Sequence, residues 1–200
     1  MDLGSVVYTV RTTVVPGAQD AFNRWQAEEH VQQLLTVPGY VGVRRYAELA
    51  NPLSFMNVWE ITSKSNFYSQ ERDIAVTTPW KARIAPLREA VTVDFLAPIA
   101  TGGRSDSDAL HYLVSHSIDI VKTSAIASGV NSLLIALREQ GNNSVFIRAF
   151  RSLDNSDQIF ILEYLSSCPT EASSCPSVSW VRRCVTTLFQ AVGLDGKPEL

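Results

Sequence analysis

The sequence predicts an α+β fold: two tandem β-α-β-β-α-(β) units that form one intramolecular α/β barrel with the helices outside. Three observations carry this reading. Segments of alternating apolar residues flank segments of helical period; their order starts again after a glycine-rich break; and several strands are apolar on both faces.

The first strand is "VVYTVRTTVV" (6–15), whose alternation ends at Pro16-Gly17. From Ala18 to Thr36 the period turns helical, with Phe22, Trp25, Val31, Leu34 and Leu35 as its apolar positions. Val37-Pro38-Gly39 stops that helix, because the residue before a proline avoids helical angles. "YVGVRRY" (40–46) and "FMNVWEI" (55–61) read as strands joined by a turn at Asn51-Pro52. A second helical region follows, interrupted at Pro79 and Pro86, and "VTVDFLA" (91–97) is the fourth strand. The order β-α-β-β-α-β is the ferredoxin-like unit.

"TGGRSDSD" (101–108) reads as a linker between a first unit at 1–100 and a second, degenerate unit at 109–200. In the second unit 109–118, 144–150 and 159–165 read as strands, and 122–139 and 177–192 as helices. "GLDGKPEL" (193–200) is too short and polar to supply the closing strand. Tyr8 aligns with Tyr112, Val10 with Val114, Arg44 with Arg148, Glu60 with Glu163 and Trp80 with Trp180, at offsets of 100 to 104 residues. Because "IFILEYL" is apolar on both faces, one face packs on helices and the other on the second sheet.

Composition narrows the function. With 46% hydrophobic and 18% charged residues the chain can bury a large core, and a net charge of −3 argues against nucleic acid or an anionic membrane as partner. No run nears the roughly 20 apolar residues of a membrane span, and the N-terminus shows no signal-peptide pattern, so a cytoplasmic protein with reduced thiols is expected. Cys168 and Cys175 could pair locally, but Cys168, Cys175 and Cys184 fit no zinc spacing. Phosphate-loop, dinucleotide and zinc-hydrolase motifs are missing, so no cofactor or metal is expected.

The stretch "FNRWQAEEHVQQLLTVPGYVGVRRY" (22–46) resembles the first-helix signature of the EthD-like branch of the dimeric α/β-barrel superfamily, with Trp25, His30, Leu34, Leu35, Pro38, Gly39, Arg45 and Tyr46 at the signature places. Where that branch usually carries a proline, two residues after the histidine, this chain has Gln32. The resemblance implies a tandem fusion of two such units and an apolar pocket between the sheet and helices of one unit. The superfamily spans cofactor-independent monooxygenases, isomerases, cyclases, decarboxylases, haem enzymes and stress proteins, so the reaction is not fixed by the fold.

His30 leads the candidate residues, since an imidazole titrates near neutrality and can act as general base or acid. On an α-helical wheel it lies at the edge of the apolar stripe; the plain alternative is a half-exposed helix histidine. Glu28 falls between Trp25 and Val31, nearer the stripe's centre, where its carboxylate could orient His30 or polarise a carbonyl. The plain alternative is that the helix rolls and Glu28 reaches water, while Glu29 points to solvent. Tyr8 could orient His30 or polarise a carbonyl. Trp25, Trp59, Glu60, Arg45 and Tyr46 are the expected substrate-binding residues, with a surface ion pair as the alternative fate of Arg44 and Arg45. Trp80 and Trp180 read as buried anchors. His111 and His116 lie on the first strand of the second unit, which reads as scaffold.

The expected function is cofactor-independent cyclisation, isomerisation, dehydration or decarboxylation of a small hydrophobic aromatic or polyketide-like carbonyl compound. A cofactor-free monooxygenase and a non-catalytic binding or stress-associated barrel are the alternatives, and association into a homodimer is left open.

Overall fold

The computed structural model describes residues 5–103, 111–120, 126–139, 144–169 and 181–192. Eight strands hydrogen-bond in the order β1-β3-β2-β8-β5-β7-β6-β4, the topology of a closed antiparallel barrel. The chain divides into two compact units: residues up to Phe95 with Ala191 and Val192, and Leu96 to Gln190.

In the first unit β1 (Val6–Val14) pairs with β3 (Ser54–Ile61), which also pairs with β2 (Tyr40–Glu48). Between β1 and β2 runs an interrupted helix: α1 (Gln19–Trp25), a π-helical turn (Gln26–His30) and α2 (Val31–Leu35). After β3 come three short helices, α3 (Lys64–Phe67), α4 (Gln70–Val76) and α5 (Pro79–Ile84). Each starts on a hydroxyl cap: the side chains of Ser63, Ser69 and Thr78 accept from the backbone N–H of Ser65, Arg72 and Lys81. Pro79 sits in the first turn of α5, where its missing N–H costs nothing. The Pro-Gly stop is also tied down. Gly39 has φ +89°, and a Cβ there would meet the Asn66 side chain at 2.3 Å. Asn66 in turn donates to the Pro38 carbonyl at 3.2 Å.

Strand β4 (Arg88–Gly103) is longer than the alternation predicted and takes in the first residues of the expected linker. Its part from Leu96 onward pairs with β6 (Ser144–Ser152), with a register shift between Pro98 and Ala100 where the proline cannot donate. In the second unit β5 (Tyr112–Ile120) pairs with both β7 (Gln158–Leu165) and β8 (Val181–Ala191), and β7 pairs with β6. Helix α6 (Ile126–Glu139) lays Val130, Leu133, Leu134 and Leu137 on Ile118, Ile147 and Ile161. Among the described residues, no helix is long and apolar enough to cross a membrane.

Two expectations need correction here. The residues from Val181 to Ala191, predicted helical, form strand β8, so the second unit does have a closing strand. Val181, Cys184, Val185 and Leu188 satisfy helical spacing, but Val185, Thr186 and Thr187 are β-branched and β8 pairs with β5 along its length. Trp80 is only partly buried, against a cluster that includes Phe22, Trp25 and Ile84. Trp180, Cys175, residues 104–108 of the linker and "GLDGKPEL" lie outside the described residues.

Candidate functional site

The first unit brings the sequence-predicted residues together around a helix that is not α-helical where they lie. The Val31 N–H donates to the Gln26 carbonyl, an i to i+5 bond, and the buried positions of the helix jump five residues from Gln26 to Val31. One consequence is that Trp25 and His30, also five apart, stack with ring centroids 4.4 Å apart at 25°. His30 further meets Trp59 edge-on at 6.4 Å. A second consequence corrects the wheel. Glu28 is exposed, not on the inner side, because the extra residue in the turn swings it outward. Glu29, expected in solvent, is partly buried and accepts a hydrogen bond from the Thr78 hydroxyl. That hydroxyl also caps α5, so one contact ties the π turn to the helix that carries Lys81.

Electrostatics single out His30. Its enclosure, followed by the positive charges of Lys81, Arg72, Arg88 and Arg45, pushes its pKa down to about 3. The imidazole is therefore neutral at physiological pH, with a lone pair available. The Nε–H groups of Arg72 and Arg88 and the Nε1–H of Trp25 are buried without a hydrogen-bond partner among the described residues. Unmade bonds of this kind are costly in a core and useful where an oxyanion is to be received.

Beside this group lies an aromatic cluster. Tyr8 stacks on Trp59 at 6.0 Å and 5°, and meets Phe67 and Tyr40 edge-on at 5.2 and 6.1 Å. Arg72 lies over the Phe67 ring at 4.2 Å. Burial, then the neighbouring Tyr40, raises the Tyr8 pKa far above the ordinary phenol value, so Tyr8 keeps its proton and can only donate it in a hydrogen bond. Arg45 is buried rather than at the surface: its Nη2 donates to Asn23 Oδ1 at 2.9 Å, and burial lowers its pKa to about 10. Arg44 is exposed. Asn57 Nδ2 donates to Gln26 Oε1 at 3.0 Å, so a polar layer underlies the interrupted helix. Tyr46 is buried on the strand face opposite Arg45, and Glu60 is partly buried on the face opposite Trp59. Neither belongs to the His30 group.

Sequence reasoning missed Arg72, Lys81 and Arg88, and the bond between Glu29 and Thr78. For Lys81 and Arg88 the signal was the segment "TTPWKARIAPLR" (77–88), a capped helix start followed by basic residues with no acidic ones; Arg72 lies before it, between Glu71 and Asp73.

In the second unit His116 and Glu163 are both fully buried, with Nε2 to Oε1 at 2.5 Å, and His116 Nδ1 lies 2.9 Å from Thr186 Oγ1. Register also corrects the repeat: Val10 faces Asn57 and Val114 faces Glu163, so Glu163 holds the place of Asn57, not of Glu60.

No protein-family model and no curated protein matches the sequence. Solved structures do. An anthrone oxidase-like protein has a TM-score of 0.68 at 10% identity over 96% of this chain and 92% of its own. A candidate monooxygenase from Fusobacterium nucleatum has a TM-score of 0.65 at 9% identity over 100% and 98%. A mutant chlorite dismutase from Candidatus Nitrospira defluvii, in complex with cyanide, has a TM-score of 0.58 at 13% identity over 94% and 92%. These neighbours are ferredoxin-like dimeric α/β-barrel proteins, and at such identities the likeness is one of fold.

Proposed function

We propose that the first unit is a cofactor-independent enzyme site that removes a proton from a small, hydrophobic aromatic or polyketide-like carbonyl compound, with His30 as the base. The observation that carries this reading is a neutral imidazole held between Trp25 and Trp59 in the positive field of Lys81, Arg72, Arg88 and Arg45. A C–H bond next to the carbonyl gives its proton to the imidazole, and the electron pair moves onto the carbonyl oxygen. The resulting enolate is anionic, so Arg72, Lys81 and Arg88 stabilise it more than they stabilise the neutral substrate. Its charge also raises the basicity of His30 as the proton arrives.

From the enolate, reprotonation elsewhere gives isomerisation, attack on a second carbonyl gives cyclisation, and loss of a β-hydroxyl gives dehydration; a β-keto acid reaches the same enolate by losing carbon dioxide in place of the proton. The names of two solved neighbours, a monooxygenase candidate and an anthrone oxidase-like protein, favour a second reading in which the enolate reacts with dioxygen. The EthD-like pattern at 22–46 and the order of elements support a tandem fusion in which the first unit keeps the site.

Anthrone, an aromatic ketone with an acidic methylene, is a suitable probe. The protein is expected to speed deuterium exchange at that methylene, and His30→Ala to abolish the acceleration. Oxygen consumption in step with turnover selects the oxygenase outcome. Anthrone binding that His30→Ala weakens, without any exchange in the native protein, makes this a binding barrel and ends the enzymatic reading.

A further inference from the structure

The second unit holds a cluster that the first site does not use. Glu163, His116, Thr186 and Cys184 come from three neighbouring strands, β7, β5 and β8. Glu163 and His116 are fully buried and 2.5 Å apart; the other ring nitrogen of His116 is 2.9 Å from the Thr186 hydroxyl; and that hydroxyl is 3.9 Å from Cys184 Sγ. Burial falls along this order, since Thr186 and Cys184 are only partly buried. An acid, a base and a nucleophile are thus in hydrogen-bonded sequence, with the nucleophile at the accessible end. The side chains beside them are apolar: Ile118 and Ile161 flank His116, and Ile147 faces Glu163 across the sheet.

We propose that this cluster is a second reactive site, at which Cys184 adds covalently to an apolar α,β-unsaturated carbonyl compound. Glu163 holds the imidazole so that Nδ1 faces Thr186. The Cys184 sulfur attacks the β-carbon of the electrophile, forming an S–C bond. The alkene electron pair moves to the α-carbon and its carbonyl. The thiol proton passes through the Thr186 hydroxyl to His116 Nδ1 and returns by the same path to the α-carbon. The addition consumes no oxidant, reductant or co-reactant. Burial lowers the His116 pKa, but Cys184 and Glu163 beside it raise it more, so the imidazole becomes neutral and able to take up the thiol proton as pH rises above its ordinary value. Thr186 touches both partners of the transfer; Glu163 is a positioning residue.

N-Ethylmaleimide, itself an α,β-unsaturated carbonyl compound, tests this on the intact protein, with mass spectrometry of peptides reporting each cysteine separately. Cys168 is a free, exposed internal reference. At pH 7.5 Cys184 is expected to react roughly tenfold faster than Cys168, because an ordinary thiol with a pKa of about 8.5 is still mostly protonated there. Thr186→Val should remove most of that advantage and Thr186→Ser restore it. Should Thr186→Val fail to fold, the native pH profile decides: the Cys184 rate should level off below about pH 7.5, while that of Cys168 keeps rising. Equal rates for the two cysteines across pH 5 to 8, or an unchanged rate in folded Thr186→Val, would overturn the proposal.

Discussion

His30 in the first unit is partly buried and His116 in the second fully buried, and their surroundings have opposite sign. Lys81, Arg72, Arg88 and Arg45 act on His30 and favour the neutral ring. Glu163 lies against His116, whose pKa is raised despite burial. The helices differ in step. The helix of the first unit is interrupted by a π turn that ends on His30, whereas α6 of the second unit runs regularly from Ile126 to Glu139. The second unit carries its histidine on a strand instead. Two units of one chain thus place a histidine on different elements, each in surroundings of its own sign.

The largest expected effect breaks the comparison on its functional side. His30→Ala should lower turnover by roughly 10²–10⁴-fold, as for loss of a general base. It should leave thermal stability nearly unchanged, because the residue is only partly buried and its ring makes no hydrogen bond among the described residues. Measured rates and melting curves on the same preparation separate the two; equal loss of both would make His30 structural.

Glu163→Ala should show the reverse. Removing one partner of a buried charged pair costs about 3–5 kcal/mol, because the other is left unpaired in an apolar setting. Unfolding in urea reads this directly, and the first unit's turnover, measured below the transition, should stay native. A loss under about 1 kcal/mol would mean that the pair is hydrated or neutral.

The π turn offers a third test. Deleting Ala27 removes one residue from the five-residue turn and should restore a regular α-helix, since a π turn amounts to one inserted residue. Trp25 and His30 would then no longer stack. Turnover should fall by about 10²-fold, the scale of a small misplacement of a reacting group, with stability retained or improved. Native turnover in this deletion variant would show that the stack is incidental.

These residues also show what the sequence made legible. Strand alternation and the Pro-Gly stop placed β1, β2, β3 and the end of the first helix within a residue or two, because period and backbone sterics are local. His30, Trp25, Trp59 and Tyr8 were found together for the same reason: each sits on an element whose inner face the pattern reveals. Glu28 was misplaced because a 100° wheel assumes one helical period, and the five-residue jump from Gln26 to Val31 was the overlooked signal. Arg72 on α4, Lys81 on α5 and Arg88 at the start of β4 act on His30 from positions distant in sequence, so the fold was needed to bring them to it. β8 was misread because its four apolar positions fit the helical period, whereas long-range pairing with β5, which no local pattern reveals, makes it a strand.

The smallest expected effect sharpens the comparison through pH. For His30 the folded-state pKa, about 3, lies below the ordinary value of 6.5. Between those limits the unfolded chain binds a proton that the folded chain does not, so acidification through this window favours unfolding. For His116 the folded value lies above 6.5, so its contribution is fully present below that pH and is lost as pH rises through the folded value. The two histidines thus give stability limbs of opposite slope. Urea midpoints measured at pH 5 and pH 8 should move in opposite directions when each is replaced in turn. His30→Gln should gain relative stability at pH 5. His116→Gln, less stable than the native protein at both values, should show its greater deficit at pH 5, where the native imidazolium is fully paired with Glu163. Parallel shifts in the two variants would show that the surroundings of His30 and His116 do not differ in sign.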